Sequence, residues 1–410
     1  MRRAVSSSFC RLSLSAGTAT GAAAMAARRC STDLFNPSPV HVALRDTIAK
    51  FSREVVDKHA RDNDINSHFN RELFTQLADL GALGVTIPEE DGGAGLDAVA
   101  AVIVHHELSK YDPGFCLAYL AHSMLFVNNF YFSASPEQRQ RWLPKVLSGE
   151  HIGAMGMSEP SAGTDVLGMR TTAKRDADGN YVLNGSKTWI TNGTVADIYL
   201  IYAKVDGKIS AFTLERGMKG FTQGPNIGKC GMRASHMCEL FFENVVVPRE
   251  NLLGVEGKGM AGMMRNLELE RVTLAAMAVG IAERSVELMT KYATERKAFG
   301  HPIANFGQIQ RYIAEGYADT EAAKALVYTV SHHVHPDRRN RLGSDAAKLF
   351  ATPIAKKVAD AAMQVMGGIG YSDGMPIERL WRDAKLLEIG GGTIEAHHKN
   401  ITKELTKELR

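Results

Sequence analysis

Thr172-Ala173-Lys174-Arg175-Asp176-Ala177-Asp178-Gly179-Asn180-Tyr181-Val182-Leu183 sets two short strand-like runs around an Asp/Gly/Asn turn, the composition of a β-hairpin. The same grammar recurs nearby. Ile198–Val205 and Ile209–Leu214 flank Asp206-Gly207-Lys208, and Leu240–Val247 is a further β-rich run ended by Pro248. Residues 151–253 therefore read as a small β-domain. Outward from it the period changes. Upstream, over residues 38–150, Leu44, Ile48 and Phe51 follow helical spacing, as do Leu73, Leu77 and Leu80. The breaker cluster Pro88–Gly95 predicts a loop, and helical patterning resumes over Val102–Tyr111 and Gln138–Ser148. Downstream, residues 254–410 carry long periodic segments with few prolines and read as a helical bundle. Helices, then a sheet, then helices predicts an α+β fold, not alternating βαβ units. No internal repeat of 20–50 residues is evident.

At roughly 150 residues per domain, 410 residues fit two to three domains. Hydrophobic residues make up 45% and charged residues 23%, which excludes a disordered or fibrous chain. No apolar run reaches the ~18 residues that a membrane-spanning helix needs. The net charge is +3, and it is unevenly placed. Residues 1–32 hold Arg2, Arg3, Arg11, Arg28 and Arg29 and no acid, so without them the balance is −2. The folded part is not basic, and a nucleic-acid partner has no charge support. The Arg-, Ser- and Ala-rich first 32 residues have the composition of a mitochondrial transit peptide, with cleavage expected near Arg28–Ser31 and the matrix as destination. Beyond that segment stand Cys116, Cys230 and Cys238, with no C-x-x-C and no even framework, which suits a reducing compartment. His332-His333-Val334-His335 runs into a polar, turn-rich stretch and reads as a solvated loop, not a metal site; His397-His398 reads likewise as solvated. Gly257-Lys258-Gly259-Met260-Ala261-Gly262 spells G-x-G-x-x-G, but it lacks the strand–turn–helix context of a dinucleotide fingerprint and reads as a lead-in to a helix.

In that helix, Met263, Leu267, Glu270, Leu274, Met277 and Ile281 are spaced by alternating fours and threes, so they share one stripe. Five are apolar and one is a carboxylate. Glu268, about 200° around the helix, points elsewhere. A carboxylate on a buried stripe costs several kcal/mol if ionised and unpaired, and answers with a raised pKa, the property of a general base working near neutrality. The alternative is a structural ion pair with Arg271 or a distant arginine.

Met157-Ser158-Glu159-Pro160-Ser161-Ala162-Gly163-Thr164-Asp165-Val166 resembles the flavin-binding signature of acyl-CoA dehydrogenases. Further matches follow in order: Asn184-Gly185-Ser186-Lys187 leading to Trp189-Ile190-Thr191-Asn192-Gly193, then Gly231-Met232-Arg233. Arg296–Gly300, Gly367–Tyr371, Arg382–Lys385 and Gly392-Thr393 complete them. Seven strings stand in register between Met157 and Thr393, and the resemblance, taken over residues from about 38 to 405, agrees with the α–β–α organisation. The resemblance implies an N-terminal helical domain, a central β-domain and a C-terminal four-helix bundle, usually as a homotetramer with one FAD per subunit. It assigns FAD contacts to Met155, Met157, Ser158 and Thr164, and to Trp189, Ile190 and Thr191 beside the flavin ring, although Trp189 alone also reads as β-core. It further assigns them to Arg296 at the diphosphate, to Met366, Gly367, Gly368 and Gly370 at a neighbouring subunit's cofactor, and to Thr393 and Glu395. It places Thr164, Glu268, Arg271, Gly391 and Gly392 at the substrate.

Most members of this family carry the catalytic glutamate directly before the Gly-Thr pair. Here that place is Gly391, which cannot accept a proton. The branches acting on isovaleryl-CoA and on long-chain acyl-CoA place the base in a Glu-Arg pair on a bundle helix, and Glu270-Arg271 matches it. The resemblance thus selects the carboxylate that periodicity singles out. It implies α,β-dehydrogenation of an acyl-CoA, with electrons passed to an electron-transfer flavoprotein. Two glycines at 391–392 clear space for a short branched chain such as isovaleryl-CoA, an intermediate of leucine degradation. A long-chain acyl-CoA dehydrogenase is the alternative, and a non-catalytic scaffold of the same fold the more distant one. The pattern is broken where relatives have Phe-Gln and this chain has Phe306-Gly307, with Gln308 one place late. It is also broken at Ala261, where isovaleryl enzymes have a pocket Tyr, and at Ile394, where Ser is common.

Overall fold

The computed structural model describes residues 33–408; the arginine-rich segment read as a transit peptide lies outside the described residues. Helices come first: α1 (Pro39–Phe51), α2 (Asp57–Ile65), α3 (Arg71–Asp79), α4 (Ala98–Ser109), α5 (Pro113–Leu120), α6 (Asn129–Ser133) and α7 (Pro136–Leu147). Local chemistry explains their ends. The Asn70 side chain accepts from the Leu73 N–H to start α3, and Asp97 and Asp112 do the same for α4 and α5. Ser135 and Gln138 form a reciprocal capping box at α7. Leu44, Ile48, Phe51, Leu73 and Leu77, the periodic positions of the sequence, are buried. Helix α5 runs into α6 through the wide turns of Ala121–Asn128. That looser winding presents Asn128 to Asn266 (2.8 Å) and is followed at once by Asn129, bonded to the Tyr202 hydroxyl (2.8 Å).

The middle of the chain forms an eight-stranded sheet: β1 (Gly153–Gly156), β2 (Thr172–Arg175), β3 (Tyr181–Thr191), β4 (Ile198–Val205), β5 (Lys208–Glu215), β6 (Phe221–Gln223), β7 (Met237–Val247) and β8 (Leu252–Leu253). The order is β6-β7-β3-β2-β4-β5-β8, with β1 pairing β4 in parallel. The opening hairpin forms as its sequence dictates, with Ala173 opposite Leu183. Strand β4 is covered on both faces. Ile198, Leu200 and Tyr202 join a cluster with Phe126, Phe130 and Trp142, while Tyr199, Ile201 and Ala203 join the larger core.

The C-terminal part is built on α8 (Gly259–Glu295), 37 residues long and buried without a break from Asn266 to Ala282. Against it pack α9 (Gly307–Ser331), α10 (Arg341–Met366) and α12 (Pro376–Leu387), while the short α11 (Gly368–Tyr371) and α13 (Ile394–Glu408) pack on α10. Gly257–Gly262 connects β8 to the first turn of α8, so its G-x-G-x-x-G spelling sits outside any βαβ unit.

Candidate active site

Glu270 lies about a third of the way along α8 and is 6% exposed. Its Oε2 meets no hydrogen-bond partner among the described residues. Burial pushes its pKa up to about 7, against the smaller opposing pull of Arg271 and Lys348. Arg271 does not neutralise it through a close ion pair. Its Nη1 lies 3.0 Å from Asp345 Oδ1, so the ion-pair alternative left open by the sequence falls. Glu270 is a desolvated, unpaired carboxyl poised near neutrality, which is the state a proton acceptor requires.

Opposite it is the turn before α13. Gly391 and Gly392 have φ of +65° and +103°, conformations that a side chain resists. A Cβ on Gly391 would meet Leu274 Cδ1 at 2.3 Å, Glu270 Oε1 at 3.2 Å and Lys348 Cε at 3.5 Å. The structure therefore brings Glu270, Arg271, Gly391 and Gly392 together. Thr393 follows at once, its Oγ1 accepting from the Ala396 N–H to cap α13, and Glu395 is exposed on the first turn.

Glu268 does not join them. Arg339 Nε donates to its Oε1, and the Asn340 N–H donates to its Oε2 at 2.7 Å. Both oxygens hold the loop before α10, which corrects the expectation that Glu268 contacts substrate. The solvated reading of His397 is corrected too. Its ring is fully buried, with Nδ1 2.6 Å from Asp345 Oδ1 and Nε2 3.0 Å from the Gly392 carbonyl. Lys348, also buried, donates to that same carbonyl at 2.7 Å. Burial lowers its pKa to about 8 despite the nearby Glu270 carboxyl.

The residues expected at a flavin fall into two kinds. Met155, on β1, and Met157 and Ser158 just beyond it are half-buried, and Thr164 is exposed. Their loop is fastened from beneath by Glu159, whose Oε1 lies 2.8 Å from Lys187 Nζ and which accepts from the N–H groups of Arg170 and Thr171 at 2.6 and 2.9 Å. Lys187 Nζ also donates to the Met157 carbonyl. Trp189 is not β-core. It is 60% exposed with φ +61°, thrown outward where the β3–β7 register breaks between Lys187 and Ile190. Thr191 beside it is half-buried. The Ile190 side chain, by contrast, is core, so only its main chain is free to meet a ligand. Arg296 is exposed, with no side-chain bond among the described residues. Gly367 (φ +60°) and Gly368 have open space where a Cβ would stand. The Met366 side chain is buried in the core, and Gly370 is pressed against it, a Cβ there meeting the Met366 Cβ at 2.8 Å. Gly370 is small for packing.

Residues 38–150, 154–245 and 257–406 match the family profiles described as acyl-CoA dehydrogenase N-terminal, middle and C-terminal domain. The chain belongs to the acyl-CoA dehydrogenase family. A curated relative, isovaleryl-CoA dehydrogenase, mitochondrial, of Oryza sativa subsp. japonica, is 41% identical over 371 residues, 89% of this chain and 90% of that one. A 2-methylacyl-CoA dehydrogenase, mitochondrial, of Solanum tuberosum is 39% identical over 88% of this chain and 90% of its own. The structure of butyryl-CoA dehydrogenase from Megasphaera elsdenii superposes with a TM-score of 0.86 at 34% identity, covering 92% of this chain and 98% of that one.

Acyl-CoA dehydrogenases are FAD-dependent, and the residues here fit the cofactor. An exposed, outward-held indole suits a planar ring system. An unpaired exposed guanidinium suits a diphosphate. Lys348 and Asp345 went unread in the sequence, and His397 was misread as solvated. Two opposite charges three residues apart in the otherwise alanine-rich Ser344–Ala351 were the available signal.

Proposed function

We propose that this acyl-CoA dehydrogenase oxidises isovaleryl-CoA to 3-methylcrotonyl-CoA with Glu270 as the base. The observation that carries the reading is the buried, unpaired Glu270 carboxyl facing a glycine at 391, where a side chain would fill the space beside it. In this reaction a C–H bond breaks at the α-carbon and its proton goes to Glu270. A second breaks at the β-carbon, and a C=C bond forms between the two carbons. FAD, when bound, supplies the acceptor for the hydride released from the β-carbon. The α-proton is weakly acidic, so the thioester oxygen needs hydrogen-bond donors as negative charge develops on it. Met155, Met157, Ser158, Thr164, Trp189, Thr191, Arg296, Gly367, Gly368, Thr393 and Glu395 are the proposed cofactor contacts, with the main chain of Ile190, Met366 and Gly370. Thr164, Arg271, Gly391 and Gly392 are the proposed substrate contacts. An electron-transfer flavoprotein as redox partner, a homotetramer, the mitochondrial matrix and a role in leucine degradation complete the proposal. Mitochondrial isovaleryl-CoA dehydrogenases among the relatives support it.

The test is anaerobic mixing of the yellow protein with isovaleryl-, 2-methylbutyryl-, butyryl- and palmitoyl-CoA, following flavin absorbance near ~450 nm. Fastest bleaching by isovaleryl-CoA, abolished in Glu270→Gln that retains FAD, is the expected result. Bleaching led by palmitoyl-CoA overturns the substrate. Wild-type bleaching by Glu270→Gln overturns the base, and no bleaching by any thioester returns the scaffold reading.

A further inference from the structure

The Gly392 carbonyl receives two donors from separate helices. Lys348 Nζ of α10 lies 2.7 Å away, and His397 Nε2 of α13 lies 3.0 Å away. Both side chains are fully buried. The other face of the His397 ring meets Asp345 Oδ1 at 2.6 Å, and that carboxylate also takes Arg271, the neighbour of Glu270, at 3.0 Å. Helices α8, α10 and α13 are thereby tied to one peptide carbonyl beside the base. We propose that Lys348 and His397 are positioning residues for the dehydrogenation: together they clamp the Gly391-Gly392 turn against Glu270, and the Lys348 cation lowers the pH at which Glu270 becomes a base.

His397 stands between two acceptors, a carbonyl and a carboxylate. A neutral imidazole has one N–H and satisfies only one of them. Burial lowers the His397 pKa against the pull of Asp345, and the bond to Gly392 is made in the form of the ring that carries the Nε2 proton. Without that proton, a bare Nε2 lone pair faces the carbonyl oxygen and the clamp loses one jaw. Lys348 acts differently. Its Cε and Glu270 Oε1 both border the space above Gly391, 3.5 and 3.2 Å from a Cβ placed there. The charged and titratable groups around Glu270 are Arg271 on its own helix, Lys348 on α10 and Tyr202 on β4. Those around Lys348 are Glu270, Arg271, Asp345 and Glu388. Arg271, though tied to Asp345, exerts the larger pull toward ionised Glu270, and Lys348 is the second cation that favours it. Removing Lys348 raises the Glu270 pKa further.

The inference rests on Glu270 being the base, and Glu270→Gln serves as its separate control. The experiment is the pH profile of flavin reduction by isovaleryl-CoA in the yellow holoprotein. Lys348→Met is expected to move the acid-side midpoint up by about one pH unit or more and to slow reduction at pH 7 about tenfold. Lys348→Gln, which keeps a donor without the charge, is expected to show the same shift with a higher plateau than Lys348→Met, and Lys348→Arg to restore the midpoint. His397→Leu is expected to lower the plateau about tenfold, and His397→Gln to recover most of it. A Lys348→Met protein that does not hold flavin leaves the decision to Lys348→Gln. A wild-type midpoint in the lysine variants overturns the electrostatic part, and a wild-type plateau in His397→Leu overturns the clamp. If Glu270→Gln itself reduces flavin normally, the underlying base assignment has failed instead.

Discussion

A side chain at Gly391 would collide with the Glu270 site: its Cβ would stand 3.2 Å from Glu270 Oε1 and 2.3 Å from Leu274 Cδ1. The place before the Gly-Thr pair and the place on α8 therefore border the same small space from opposite walls. A carboxyl offered from α8 needs the other wall bare. The backbone at Gly391 agrees, since its φ of +65° is one that Ala adopts at a cost.

Gly391→Ala is accordingly predicted to lose about 1–3 kcal/mol of stability through strain and overpacking. Flavin reduction should slow at least about tenfold, because the turn is pushed off Glu270. Chemical denaturation and stopped-flow bleaching would report the two effects separately. Adding Leu274→Ala removes the nearest clash. The double variant should lose less than the sum of the two single changes, and strict additivity would show that the clash is not the cause.

The buried Glu270 also makes a statement about stability. Its folded pKa of about 7 lies above the ordinary 4.5, so the folded state holds the proton more tightly than the unfolded chain. Stability from this group is then full below about pH 4.5 and is lost as pH rises through about 7. Replacing the carboxyl by an amide removes the liability. Glu270→Gln should be more stable than wild type at pH 8 by an amount on the order of 3 kcal/mol, shrinking below about 1 kcal/mol near pH 5. Thermal melts at the two pH values decide it, and an equal gain at both would mean that packing, not ionisation, is responsible.

The sheet was legible because its hairpins announce themselves: Asp176–Asn180 and Asp206–Lys208 are turns between β-rich runs, and both fold so. Strand ends were less visible. β3 extends to Thr191 and β7 starts at Met237, because β-bulges carry the pairing through Gly185 and Trp189. Helices α5 and α6 carry no period, since from Pro113 to Tyr131 all but Leu125 are buried. Glu270 was legible, yet for an incomplete reason. Its stripe is buried, but so is every other face of α8 from Asn266 to Ala282, Glu268 included. What separates the two glutamates is their partners, and partners are set through space. Arg339 reaches Glu268 across 71 residues of sequence, and Asp345 reaches His397 across 52. No spacing rule along one helix contains those distances.

Two of the strings that mark the family are joined inside the fold by Glu159 and Lys187, 5% and 0% exposed. Burial alone would raise the Glu159 pKa, but Lys187 and the N–H donors of the 170–171 backbone bring it down to about 2. Its contribution is present above the unfolded value near 4.5 and is lost as pH falls through about 2. Lys187→Met strands a buried carboxylate and should cost about 3–5 kcal/mol, whereas pairing it with Glu159→Leu should recover part of that loss. Denaturant midpoints give the comparison. Because Lys187 also holds the Met157 carbonyl, both proteins should bind FAD more weakly, and unchanged FAD affinity in them would detach this pair from the cofactor loop.

Trp189 offers a test in which folding and cofactor binding move in opposite directions. The indole is 60% exposed, so removing it forfeits little buried area, and the φ of +61° is strained for any residue with a Cβ. Trp189→Gly relieves that strain. The FAD-free variant should be as stable as the FAD-free wild type or more so by about 1 kcal/mol, in contrast to the loss that a core tryptophan would give. FAD affinity, read by fluorescence titration of the apoprotein, should nonetheless fall at least about tenfold, since a planar contact to the ring system disappears. A variant that unfolds more easily yet binds FAD normally would make Trp189 a structural residue and remove it from the proposed flavin site.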